Sequence, residues 1–310
     1  MPLSPQALLD LLTGWWTAVQ PEHDEARVQI PRNEPLEDVE PTPVPREAIR
    51  CSTWAGAATM ASPSTIRRDV ALARKLGLTR LDVIINDHSK SKKPRDYDTY
   101  PRTKIVALLK AAADAGLETH VTSWVMPHES YLRRMGLELN EIADAAPVTS
   151  FVLDAEEPWT LAASPLPWTR AADLVVEVMG ERRWGVTGIG YTSATKLGPL
   201  VKRGAFMVPQ CYATRDTTLR PAQVAPVLCK RWRAIFGERP LVVGLAAYNQ
   251  NGIAGHTVES AIRAAFQGAQ TQNPMAITWW SMSAIRNSSA VQKAIASVTA
   301  LVNVEHGPVA

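Results

Sequence analysis

The sequence predicts a (β/α)8 barrel, and three observations predict it. From residue 49 onward, short apolar runs rich in β-branched residues alternate eight times with stretches of helical period. Glycines such as Gly77 and Gly116 close the early helical stretches, at the spacing expected of strand–helix units. The first run ends in Cys51-Ser52-Thr53-Trp54-Ala55-Gly56, which lacks the Gly-rich phosphate turn of the competing doubly wound open sheet.

The elements follow in order. Ser4-Pro5 reads as an N-cap followed by proline at the first helical position. Leu8, Leu9, Leu11, Leu12, Trp15, Trp16 and Val19 then give an amphipathic helix within 1–20. Residues 21–47 turn polar, acidic and proline-rich, a linker with little core of its own. The barrel is expected over 48–310, with strands at 49–54, 80–86, 118–125, 149–154, 184–191, 205–212, 241–248 and 276–281. Helices are expected at 64–76, 103–115, 131–145, 169–179, 193–202, 221–236, 258–272 and 290–302. All eight units lie beyond the linker, so the N-terminal helix is expected to be a separable element suited to docking, on the barrel or on a protein partner.

Composition narrows the function. With 310 residues, 46% apolar and 20% charged, the chain has material for one large core. Its net charge of 33 minus 30, or +3, is too small and too dispersed for a nucleic-acid partner. Cys51, Cys211 and Cys229 are odd in number and far apart, fitting neither a disulfide framework nor a zinc site. The opening residues carry no basic group, and Asp10 interrupts the apolar run there, so no secretory signal is expected. No stretch is apolar enough for stable membrane insertion. Ten Trp against four Phe is unusual, since a buried indole N–H needs a partner whereas an exposed ring offers a flat stacking surface.

Barrel active sites gather at the C-terminal ends of the strands. That rule brings together Trp54; Asn86, Asp87 and His88; Ser123 and Trp124; Asp154 and Glu156; Tyr191; Gln210 and Tyr212; Tyr248 and Asn249; Trp279 and Trp280. Side chains alternate along a strand, so Asp154 and Glu156 share one face. Two acids facing one way at a strand end are the pair that glycoside hydrolysis uses; the competing reading is a salt-bridged pair that holds a loop. Trp54, Trp124, Trp159 and Trp280 are the stacking candidates, with core packing as the alternative for each. Asp87, Tyr191, Gln210 and Tyr248 complete the expected substrate-binding set. The loop 90–102, with Tyr97 and Tyr100, is expected as a groove wall. No Gly-x-Ser-x-Gly elbow is present, and Cys211 alternates away from Gln210 and Tyr212, so it reads as a packed thiol.

Asp154-Ala155-Glu156 at the fourth strand resembles the Asp-x-Glu of the phage and bacterial muramidases of glycoside hydrolase family 25. A looser likeness to the family-18 chitinases rests on Tyr212 at strand six and Trp280 at strand eight. Family-25 enzymes carry an Asp on strand one, and Ser52-Thr53-Trp54 has none. The resemblance implies a lysozyme-like hydrolase of an N-acetylated cell-wall polymer, most simply peptidoglycan, with no cofactor and no metal. Such a phage lysin or effector would be made in the cytoplasm and reach the wall after release or delivery by other proteins.

On this reading Glu156 is the general acid, its pKa raised in an apolar mouth, and Asp154 stays ionised to stabilise the developing positive charge. With an N-acetylated sugar the substrate's own carbonyl is an alternative nucleophile, oriented by Asp154 and Tyr212. Asp87 and Asp216 are the other available carboxylates. Two different classes compete: a glycan-binding barrel without catalysis, and a metal-dependent amidase or deacetylase using Asp87, His88, Asp154 and Glu156.

Overall fold

The computed structural model describes residues 49–86, 97–156, 159, 166–189, 195–215 and 217–306. The expected helix at 1–20, the linker, Asp87, His88, Tyr191, Asp216 and the lysine-rich part of the 90–102 loop lie outside the described residues.

The described residues form eight parallel strands closed into a barrel: β1 (Arg50–Ala55), β2 (Arg80–Ile84), β3 (Glu118–Trp124), β4 (Ser150–Asp154), β5 (Trp184–Ile189), β6 (Phe206–Gln210), β7 (Val242–Ala246) and β8 (Ala276–Trp280). Each pairs with the next, and β8 returns to β1 through the register Thr53↔Trp279. The helices between them are α1 (Pro63–Lys75), α2 (Arg102–Asp114), α3 (Glu129–Ala145), α4 (Trp168–Met179), α5 (Gly198–Val201), α6 (Pro221–Phe236) and α7 (Val258–Gln270). After β8 come α8 (Met282–Arg286) and α9 (Ser289–His306).

Every predicted strand is present, shifted by at most a few residues at its ends. α1 starts where its chemistry says it should: Ser62 accepts from the Thr65 N–H at 3.1 Å, and Pro63 follows at the first helical position. Gly77 and Gly116 follow α1 and α2 with φ of 73° and 75°, a backbone that other residues adopt only under strain. Two expectations need correction. The fifth helical stretch is the short α5, with Pro199 in its first turn, and α8 was not foreseen because five residues carry too little periodicity. No helix of the described residues is long and apolar enough to cross a membrane.

Most of the core lies between the strands and the helices. Inside the barrel, Trp54, Val152, Phe206, Val208, Val242 and Ala276 form a second cluster. Its bulk depends on neighbours without side chains. A Cβ at Gly185 would stand 2.4 Å from the Phe206 ring, and one at Gly244 would stand 3.0 Å from Trp54 Cη2.

A polar plug lies nearer the N-terminal ends of the strands. Asp82 accepts from Ser52 Oγ at 2.7 Å, Arg80 Nε at 3.1 Å and Thr278 Oγ1 at 3.1 Å. His120 Nδ1 meets Ser150 Oγ at 2.7 Å, and its Nε2 stands 3.6 Å from the Glu118 carboxylate. Burial opposes the charge on Asp82, but Arg80, His120 and the hydrogen bonds outweigh it and hold the carboxyl below its ordinary range. Burial moves His120 the other way from a typical ion-paired imidazole: its pKa is lowered, despite the pull of Glu118. This cluster fixes the barrel and leaves the opposite end for chemistry.

Candidate active site

On β4, Phe151 and Leu153 pack outward into the helix-facing core while Val152 points into the barrel. Asp154 shares the inward face of Val152, and Glu156 follows two residues beyond it, nearer the mouth. Their convergence is visible in one side chain. Gln210, the last residue of β6, donates through Nε2 to Asp154 Oδ1 at 3.3 Å and to Glu156 Oε1 at 3.2 Å. The same nitrogen stands 3.4 Å from Thr187 Oγ1, on the β5 residue registered opposite Asp154. A buried amide thus clamps two carboxylates that would otherwise repel each other.

The electrostatics bear on the expected division of labour. Burial, and then the charge of Glu156, push the Asp154 carboxyl well above its ordinary range. Asp154 is expected to stay ionised, and this upward shift works against its charge. Two acids this close do not both ionise readily, so they titrate as a pair. Tyr212 belongs to the same field. Its hydroxyl is raised well above the ordinary tyrosine range by burial and by the charges of Asp154, Tyr248 and Glu156. Its ring meets that of Tyr248 edge-on, with centroids 6.0 Å apart.

Among the expected stacking residues, only Trp280 is a half-exposed ring at the mouth. It leans on Trp54 with centroids 5.5 Å apart, and the Trp280–Ser281 peptide is cis. Trp54 itself is core: it is 1% exposed, and its Nε1 donates to Thr122 Oγ1 at 3.2 Å. Trp159 is core as well, with Nε1 donating to the Val125 carbonyl at 3.1 Å and its ring beside Trp168. Neither presents a face to a sugar, because each indole N–H found its partner inside the fold. Trp124 keeps only 8% exposure and packs edge-on against Tyr131. Trp279 points outward and stacks on Phe266 at 6.3 Å.

Other expected rim residues have structural duties. The Asn86 carboxamide accepts from the Trp124 N–H at 2.8 Å and donates to the Trp124 carbonyl at 3.2 Å, bracing the end of β3. Tyr97, expected in a groove wall, is buried against Tyr131 and shares a 3.0 Å hydrogen bond with Ser123. Cys211 is a packed thiol, its Sγ 3.9 Å from that of Cys229. Among the described residues no group of three or more His, Cys, Asp or Glu is placed to hold a metal ion.

Sequence reasoning missed Thr187 and the clamping role of Gln210, although Gln210 was expected to bind substrate. It also missed the Arg80–Asp82 pair. The alternation of Arg80, Asp82 and Ile84 along β2 was readable, but not which strand would face it.

No protein-family model matches this sequence, and no curated protein is significantly similar to it. Solved structures are similar in fold. A GH5_18 protein from Streptomyces cattleya, determined with GlcNAc, is 14% identical; the match covers 84% of this chain and 82% of that one at a TM-score of 0.63. A GH5_18 variant from Bifidobacterium longum subsp. longum, in complex with Manb1-4GlcNAc, is 12% identical over 82% of this chain and 78% of that one, at a TM-score of 0.62. The exo-beta-1,4-mannosidase Op5Man5 from Opitutaceae bacterium strain TAV5 is 14% identical, covering 84% of this chain and 60% of that one, at a TM-score of 0.55. At these identities the likeness shows a shared barrel architecture.

Proposed function

We propose that the protein is a glycoside hydrolase acting on an N-acetylated glycan, with Asp154 and Glu156 as its acid–base pair. The observation that carries this reading is the Gln210 amide held between the two carboxylates at the barrel mouth. Two acids joined by one amide, with Tyr212 in their field and a half-exposed Trp280 at the end of β8, suit a neutral sugar and the protonation of its glycosidic oxygen. Similarity in fold to proteins solved with GlcNAc and Manb1-4GlcNAc supports the same substrate class.

Glu156, nearer the mouth, is assigned to the glycosidic oxygen. The carboxylate pair holds one proton in the resting protein, and Glu156 delivers it to the departing hydroxyl. The glycosidic bond to the anomeric carbon breaks as that carbon gains a bond to the substrate's acetamido carbonyl, which Tyr212 hydrogen-bonds. Water then attacks the anomeric carbon, and its proton returns to the carboxylate pair. Gln210 keeps both oxygens in place throughout.

Peptidoglycan is the finer substrate we propose, with delivery to the wall by other proteins and docking through the N-terminal segment. The test is incubation with purified peptidoglycan, chitin oligomers and mannosyl-GlcNAc, followed by mass spectrometry of the new reducing ends. Release from peptidoglycan supports the finer reading. Release from mannosyl-GlcNAc or chitin alone replaces it, and no release from any of the three overturns the hydrolase.

A further inference from the structure

Gln210 holds the two acids with one end of its carboxamide, and the other end is left over. On β6, Val208 points into the barrel and the Cys211 thiol packs outward against Cys229, so the Gln210 side chain projects inward. Its Nε2 donates to Asp154 and Glu156 and stands beside Thr187. Turning the amide over would set its oxygen against both carboxylates, so its orientation is fixed by them. Oε1 lies on the other arm of the carboxamide, branching away from the acids.

The neighbouring strand supplies nothing to that oxygen. β7 sets Gly244 in register with Gln210, and its next inward residue is Ala246, itself in register with the half-exposed Trp280. Neither Gly244 nor Ala246 carries a side-chain donor. Gln210 is 6% exposed, yet its Oε1 accepts no hydrogen bond among the described residues. It is also not one of the sealed atoms that lack a partner, as Trp279 Nε1 is, so it keeps an opening to solvent. An oriented acceptor on a nine-tenths buried side chain, open at the site of the two acids, is completed by an N–H or O–H of a ligand.

We infer that Gln210 Oε1 accepts the N–H of the substrate's acetamido group, which makes Gln210 a specificity-determining residue as well as a brace for the acids. The inference rests on the proposed N-acetylated substrate and names the residue that recognises that substituent. In the proposed reaction Tyr212, two residues further along, takes the acetamido carbonyl, so the amide is read at both of its edges. As the carbonyl oxygen bonds to the anomeric carbon, positive charge spreads onto the amide nitrogen and strengthens its N–H as a donor. Oε1 therefore favours the transition state over the bound substrate.

The test is a binding comparison that needs no turnover. The full chain is titrated with methyl N-acetylglucosaminide and with its isostere carrying CH2 in place of the amide N–H, while backbone amide shifts are followed. The parent protein is expected to bind the amide about tenfold more tightly than the isostere. In Gln210→Met, which keeps the length of the side chain but loses the oxygen, that ratio should fall to about one. Gln210→Asn, which withdraws the oxygen, should do the same if the first variant fails to fold.

Equal affinities in the parent, binding of neither sugar, or a preference that survives substitution overturns the assignment of Oε1, whether or not the protein hydrolyses glycans. A preference lost on substitution, in a protein that cleaves nothing, upholds the acceptor while removing the hydrolase.

Discussion

The ring of Trp280 rests on that of Trp54, with centroids 5.5 Å apart and planes inclined at 59°. The lower ring is sealed inside the barrel and tethered to Thr122, and the upper one is half exposed. One tryptophan therefore serves as a floor for the other, and the two substitutions should separate. Trp54→Ala leaves an interior void and an unpaired threonine, at a cost of about 3–5 kcal/mol. Trp280→Ala should cost much less stability yet weaken binding of soluble glycan fragments. Thermal unfolding and a fragment titration on both variants check this. A large fall in melting temperature for Trp280→Ala with unchanged affinity would assign that ring to the core.

The carboxylate pair yields a graded prediction. Glu156→Gln removes the group that delivers the proton, at constant shape, and should lower turnover on the order of 10²–10⁴-fold. Gln210→Leu keeps both acids but deletes their shared donor. A hydrogen bond to a charged group contributes about 1.5–3 kcal/mol, so the loss should be roughly tenfold to a hundredfold. The acid limb of its pH–rate profile should also move upward, because the carboxylates then repel unscreened. Rates within error of the parent protein for Gln210→Leu would show that the clamp is only structural.

Asp154 gives a stability prediction with a definite sign. Its carboxyl is raised in the fold, so the native state binds its proton more tightly than the unfolded chain, whose value is near 3.8. That contribution is complete at low pH and is lost as pH rises through the native value. Asp154→Asn removes the ionisation. The variant should be more stable than the parent near neutral pH while turning over far less substrate, as unfolding monitored across pH will show.

The polar plug acts in the opposite direction. His120 has a lowered pKa, so the unfolded chain takes up a proton near 6.5 before the native state does. Stability should fall as pH drops from that value. Asp82, held below 3.8 chiefly by Arg80 against the cost of burial, should add a second loss as pH drops through its own range. His120→Gln should flatten the first loss and leave the second, and identical pH profiles for variant and parent would exclude His120 as the source.

Helix packing supplies a control remote from the site. A Cβ on Gly268 would fall 2.2 Å from the Ala222 carbonyl oxygen, where α7 crosses α6. Gly268→Ala should destabilise by about 1–3 kcal/mol, as overpacked contacts do, with activity of the folded fraction retained. Equilibrium denaturation and specific activity per folded molecule test both halves.

The barrel was legible in the sequence because its signals are local. Alternation at a period of two, helical spacing and glycine stops need only a few neighbouring residues, which is why β1 to β8 fall where expected. The shared face of Asp154 and Glu156 is of the same kind, since a strand's geometry imposes it. What only the tertiary structure decided is which neighbours those residues meet. Trp54, Trp159 and Trp280 look alike in sequence, and Thr122 and the Val125 carbonyl made two of them core. Gln210 lies 56 residues from Asp154 along the chain and one hydrogen bond away in space. The raised pKa of Asp154 follows from that same gathering, because burial and the field of Glu156 exist only once the barrel has closed.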